Sequence, residues 1–148
     1  PLIDRDRLIV VGGSDRTVSF DIDRGIQARE LPFGGTQMAW PSAQHYFIAT
    51  DNGRLVAVDR DTGGIAWARS LPKYADASRL DRVEWFGPVL AANRLILASS
   101  TGLIITISPS TGKLLGRVEN RAGFVGPPVI AQNTMLLVSE NGDLVAYK

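Results

Sequence analysis

Cysteine is absent from the 148 residues, which removes disulfide frameworks, thiolate metal sites and cysteine nucleophiles from consideration. Histidine occurs once, as His45, so zinc centres of the usual His/Cys kind and Ser-His-Asp chemistry have almost nothing to work with. An excess of one charge is also lacking. Sixteen Lys and Arg stand against fifteen Asp and Glu, spread along the chain without a basic stripe, which argues against nucleic acid as a partner. No apolar run approaches the ~20 residues of a membrane-spanning helix. The chain opens on Pro-Leu-Ile-Asp-Arg, with no basic start and apolar stretch of an export signal, so any such signal is expected to have been removed or to lie outside this segment. What is present, 45% hydrophobic and 21% charged residues, is the balance of a globular domain with a core.

The main signal is internal repetition. YFIATDNGRLVAVDRDTGGIAW from Tyr46 follows the same plan as RLILASSTGLIITISPSTGKLLG from Arg94: apolar strand, turn closing on Gly, second strand, Thr-Gly turn, third strand. A worn copy, RLIVVGGSDRTVSFDIDRGIQAR, starts at Arg7, and a shortened one, TMLLVSENGDLVAYK, at Thr134. Gly53, Gly102 and Gly142 are spaced by 49 and 40 residues, Gly25, Gly63 and Gly112 by 38 and 49. That period and the short Ile, Val and Leu runs predict the four-stranded blades of a β-propeller. Proline-bearing segments before the last three copies, at Met38, Phe86 and Val125, supply the first strand of each blade, where one side is free of ladder partners. The fold class is therefore all-β: a β-propeller of four-stranded antiparallel blades, about three and a half to four in this chain. As a single partial propeller domain over 1–148, the blades fall at 1–34, 35–72, 84–120 and 121–148, with an inserted loop at 73–83. The terminal blades expose strand edges, to be covered by the remainder of the propeller or by a second copy.

The spacing Gly53-Arg-Leu-Val-Ala-Val-Asp59-Arg-Asp-Thr-Gly63-Gly-Ile-Ala-Trp67 resembles the quinoprotein-like (PQQ-like) repeat. The stretch from Arg82 to Lys148, with its GPVLA segment and its stop after the last strand, resembles more narrowly the C-terminal half of the BamB family, propeller lipoproteins of the outer-membrane β-barrel assembly machinery. That resemblance implies an eight-bladed ring on the periplasmic face of the outer membrane, held by a lipid anchor outside this segment. It further implies a scaffold with no catalytic role and no cofactor that binds BamA through its POTRA domains. Two alternatives stay open: a fragment of a PQQ-dependent quinoprotein dehydrogenase, and a propeller that binds a small ligand.

Single residues are weighed against that frame. The inserted loop offers Tyr74, Arg79 and Arg82 as partner-binding candidates, because loops on rigid scaffolds carry binding. Trp67 is the residue with which the family's repeats dock one blade on the next; Arg29 and Gly116 stand at its equivalents, so the pattern is eroded. Asp21-Ile-Asp23-Arg-Gly25 and Asp59-Arg-Asp61-Thr-Gly63 look like calcium loops but lack the late Glu, and turn chemistry explains them better. His45 is expected in a solvated turn, and Trp40 and Trp85 in the core or channel lining.

Overall fold

The computed structural model describes residues 1–75 and 80–148. Residues 1–70 and 71–148 form two compact units. Every regular element among the described residues is a strand.

In the first unit, β1 (Leu2–Asp4), β2 (Arg7–Gly12), β3 (Arg16–Asp21) and β4 (Ile26–Leu31) form sheet 1, and β5 (Trp40–Pro41), β6 (His45–Thr50), β7 (Arg54–Asp59) and β8 (Ile65–Ser70) form sheet 2. In the second unit, β9 (Trp85–Ala91), β10 (Arg94–Ser99), β11 (Leu103–Ile107) and β12 (Leu114–Glu119) form sheet 3, and β13 (Val129–Ala131), β14 (Thr134–Val138) and β15 (Leu144–Tyr147) form a three-stranded sheet 4. All pairings are antiparallel between successive strands, as the proline segments and hairpin turns predict. Pro88 lies where the β9–β10 register shifts, which spares it the ladder bond it cannot donate.

Because side chains alternate along a strand, each sheet has two faces. One, here called forward, carries Ile9, Phe47, Ile96 and Leu136 at equivalent places; the reverse face carries Leu8, Tyr46, Leu95 and Met135. In the first unit the forward face of sheet 1 (Leu2, Ile9, Val11, Leu31) packs on the reverse face of sheet 2 (Tyr46, Ile48, Val56, Val58). In the second unit Phe86, Ile96, Ala98 and Ile104 of the forward face of sheet 3 pack on Met135, Leu137, Val145 and Tyr147 of the reverse face of sheet 4. Full burial of a Leu or Ile side chain contributes about 1.5–3 kcal/mol, so these faces supply much of each unit's stability.

Backbone bonds fix the same geometry. The link from sheet 1 to sheet 2 donates from Gly35 N to Gly12 O and accepts at Gly34 O from Asp51 N, both at 3.0 Å. The link from sheet 3 to sheet 4 repeats the pair, Phe124 N to Ser99 O at 3.1 Å and Glu140 N to Gly123 O at 2.8 Å. The chain passes so closely here that a Cβ on Gly34 would lie 1.9 Å from Gly12 O, and one on Gly123 2.0 Å from Ser100 O.

Gly123→Ala is therefore expected to destabilise by at least about 2–3 kcal/mol, because backbone rather than a flexible side chain must move. Gly126→Ala, whose added methyl meets nothing within 4 Å, is expected to change stability by less than about 1 kcal/mol. Urea denaturation of the two variants side by side checks the contrast.

Candidate interaction site

The described parts of the inserted segment, 73–75 and 80–83, pair as a short antiparallel arm. Val83 N donates to Lys73 O at 2.9 Å, Ala75 N donates to Asp81 O at 3.0 Å, and between them Tyr74 and Arg82 form an isolated bridge. Directly opposed residues of such a ladder share a face, so the half-buried Tyr74 and the exposed Arg82 stand side by side. Leu80 is 83% exposed. Arg79, the third predicted partner residue, lies outside the described residues. The arm is stapled at its base: Trp85, itself buried, donates Nε1–H to Pro72 O at 2.8 Å, and Ser100 bonds Glu84 through both its amide and its hydroxyl. An aromatic ring, a guanidinium and an exposed leucine on a braced arm can stack on, and hydrogen-bond to, a protein surface.

At the docking positions the registers confirm the equivalence read from the sequence. Arg29 pairs with Ser19, Trp67 with Ala57 and Gly116 with Thr106. Trp67 is half-buried, and its ring lies 5.9 Å from that of Phe47 in its own sheet, reached across the small Ala57. Arg29 instead leans over sheet 2, its Nη2 donating to Asp61 O at 3.2 Å and its stem covering Gly63. Beneath it a cleft of about 30 Å³ remains between the sheets, lined by residues including Ser19, Tyr46 and Val58.

Sequence reasoning missed the polar cluster beside that cleft. The Asp4 carboxylate of β1 accepts from Arg60 at the end of β7 and from Tyr46 Oη at 2.9 Å, the guanidinium sits 5.0 Å from the Tyr46 ring centre, and it also bonds Ser42 O. The cluster ties sheet 1 to sheet 2. Asp4 and Arg60 are 56 positions apart, and no local spacing announces the pair. Burial, with the bond to Asp4, raises the Tyr46 pKa above its ordinary value, against the opposing charge of Arg60.

The carboxylates that resemble calcium loops serve turns. Asp59 Oδ1 accepts from Thr62 N (2.7 Å), Thr62 Oγ1 (2.8 Å) and Asp61 N (3.1 Å), bonds that lower its pKa, and Asp21 Oδ1 accepts from Arg24 N at 2.9 Å. Ser108 takes the same role in sheet 3 through Thr111 N. His45 departs from expectation: it opens β6 half-buried, because Ser42 Oγ accepts its amide and its ring rests 6.0 Å from Phe47. Trp85 is buried and Trp40 half-buried.

Removing Arg60 strands a largely buried carboxylate. Arg60→Ala is expected to cost about 2–3 kcal/mol, below the 3–5 of a fully buried pair because the two side chains keep 10% and 16% exposure. Tyr46 stays neutral in the folded protein, so its contribution is complete below about pH 10 and is lost as pH rises through its raised folded pKa. Tyr46→Phe should flatten that alkaline loss, as read by denaturation between pH 8 and 11.

Comparison with known proteins gives a consistent picture. A family model described as outer membrane protein assembly factor BamB matches residues 1–69 and 76–148. The protein of that name from Alkalilimnicola ehrlichii is 33% identical over 122 residues, 82% of this chain and 29% of the relative. Its counterpart from Moranella endobia is 30% identical over 102 residues, 68% of this chain and 26% of the relative. The chain thus spans less than a third of the length of these two relatives. The crystal structure of BamB from Moraxella catarrhalis superposes with a TM-score of 0.82 at 16% identity, over 99% of this chain and 42% of that one. The four sheets are therefore blades of a propeller.

Proposed function

We infer the function of this chain from its family: it belongs to the outer membrane protein assembly factor BamB family, whose model covers it on both sides of residues 70–75. The chain is a blade segment of a non-catalytic scaffold at the periplasmic face of the outer membrane, and it supports assembly of outer-membrane proteins by holding the POTRA domains of BamA. The family match is the observation that carries this reading. The arm supports it from the chain's own geometry, since Tyr74 and Arg82 pair across it and Leu80 is exposed. Aromatic and arginine side chains are the types most often found to dominate protein interfaces. In this reading Arg79 is a further partner-binding residue, Trp67 is a packing residue, and the chain forms one part of a single ring-shaped domain.

Binding of the parent protein to purified POTRA domains, measured by biolayer interferometry, tests this. Tyr74→Ala and Arg82→Ala are each expected to weaken binding by about 10–30-fold, the equivalent of about 1.4–2 kcal/mol. Lys113→Ala, on the turn before β12, is the control expected to leave it unchanged. Unaltered affinity in both arm variants removes the arm from the interface, and no binding by the wild type overturns the scaffold reading.

A further inference from the structure

The cleft between sheets 1 and 2 gathers cations that the packing of the first unit does not use. Both sheets have their four strands, and every residue that lines the cleft lies within residues 1–70. Ile9, Ser19 and Arg29 form one row across sheet 1 by direct register, and Arg7 stands two places before Ile9 on the same face. Arg60 enters from sheet 2, just past β7, and its charge is answered by Asp4. The other two guanidiniums have no such answer. Among the described residues the half-buried Arg29 bonds only to the carbonyl of Asp61, and neither the half-buried Arg7 guanidinium nor the Ser19 hydroxyl has a hydrogen-bond partner. Asp59, the carboxylate that borders the cleft, is engaged by its own turn through Asp61 and Thr62. The remaining wall is hydrocarbon, Ile9 and Leu31 of sheet 1 facing Ile48 and Val58 of sheet 2. The second unit does not repeat the arrangement. Gly116 stands in place of Arg29, the Thr106 hydroxyl is bonded to Gly116 O at 3.5 Å, and Met135 and Tyr147, paired as Tyr46 and Val58 are, pack on sheet 3.

We propose that this cleft binds a short-chain monocarboxylic acid in its ionised form, the carboxylate against Arg7 and Arg29 and the aliphatic chain on Ile9, Ile48 and Val58. A guanidinium presents a planar fork that matches a carboxylate, and such charge-assisted bonds are about twice as strong as neutral ones. The Ser19 hydroxyl, in the same row as Arg29, donates a further bond to the anion. A charge held half-buried without a counter-ion is unfavourable, and a bound carboxylate supplies what Arg7 and Arg29 lack. Size and polarity narrow the ligand. A cleft of about 30 Å³ holds about two waters, the room of a chain of about two or three carbons. Phosphate and sulfate fit poorly, because the hydrocarbon wall leaves their outer oxygens desolvated and without partners. The cleft and the arm are separate features, so the proposal does not depend on POTRA binding.

Equilibrium dialysis of the parent protein against radiolabelled propionate at fixed ionic strength tests this. Saturable binding with a Kd of about 1 mM or below is expected. Arg7→Gln and Arg29→Gln should each weaken it at least about 10-fold, by removing a charge-assisted bond. Ser19→Val, which fills the cleft with hydrocarbon and disturbs no bond of the fold, should abolish it. Urea denaturation verifies that each variant folds, and Lys113→Ala is the control expected to bind as wild type does. Two competitors separate the parts of the ligand: propionamide keeps the chain without the charge, and inorganic phosphate keeps the charge without the chain. Each should compete at least about 10-fold less well than unlabelled propionate. Absence of saturable binding overturns the proposal, as does undiminished binding in Ser19→Val and Arg7→Gln, which places the ligand elsewhere in the parent protein. Phosphate that competes as well as propionate also overturns it, marking a plain cationic patch. A capped peptide ending in alanine that binds more tightly than propionate overturns the small-acid assignment and marks a chain terminus as the ligand.

Discussion

The backbone crossing between consecutive sheets is the constraint from which the packing within each unit follows. At Gly34 and Gly123 the link accepts an amide from the next sheet's hairpin turn, at Asp51 and Glu140, while the following residue donates back to the end of the second strand of the sheet just left. Two bonds of about 3 Å then set the separation and register of the sheets before any side chain is chosen. Side chains must suit the space so defined, and they do so largely with small and β-branched residues, Ile9 with Ile48, Val56 and Val58 around Tyr46, and Ala98 and Ile104 around Leu137. The glycines are needed because a Cβ would strike main-chain oxygen.

Within that frame the two units solve the same packing problem differently. The second unit fills its sheet interface with hydrocarbon and Phe124. In the first unit sheet 1 has Arg29 where sheet 3 has Gly116, and the space is closed by polar chemistry instead, Arg29 on Asp61 O and Asp4 with Arg60 and Tyr46. A largely buried ion pair offsets its desolvation only when its remaining donors and acceptors are met. Tyr46 Oη and Ser42 O meet them here. Such a cluster fixes orientation more than it adds stability, because its geometry is satisfied in one arrangement of the two sheets.

What the sequence disclosed and what it hid divide along the same physical line. Local rules were legible: the third and fourth strands of sheets 2 and 3 fall where the Thr-Gly turns place them, Asp59 caps its turn through three bonds, and the proline segments pair as first strands. These depend on neighbours a few residues away. Asp4 and Arg60, 56 positions apart, meet only after two sheets have docked, so no spacing could reveal them. His45 was misjudged for a related reason: Ser42 closes the turn and passes His45 into β6, a capping bond that the Ala-Gln-His run does not advertise. In the inserted segment, Tyr74 and Arg82 were chosen for chemistry, and their pairing across the arm was visible only once Lys73–Val83 and Ala75–Asp81 bonds were in place.

The position of that arm follows from the crossing constraint. Ser100 N donates to Glu84 O at 2.9 Å, the counterpart within the second unit of the bonds that Asp51 and Glu140 make to Gly34 and Gly123, so Glu84 fixes where its link joins sheet 3. Residues 73–83 are inserted before this point, and the staple from Trp85 to Pro72 closes the insertion off at its base. An insertion after residue 84 would shift the register of β9 against β10 and turn its apolar side chains to the wrong face. Before it, added residues change nothing in the sheet that follows. The crossing thus separates a part of the link that must keep its length from a part free to grow, and the one long insertion of the chain, with its aromatic and cationic pair, occupies the free part.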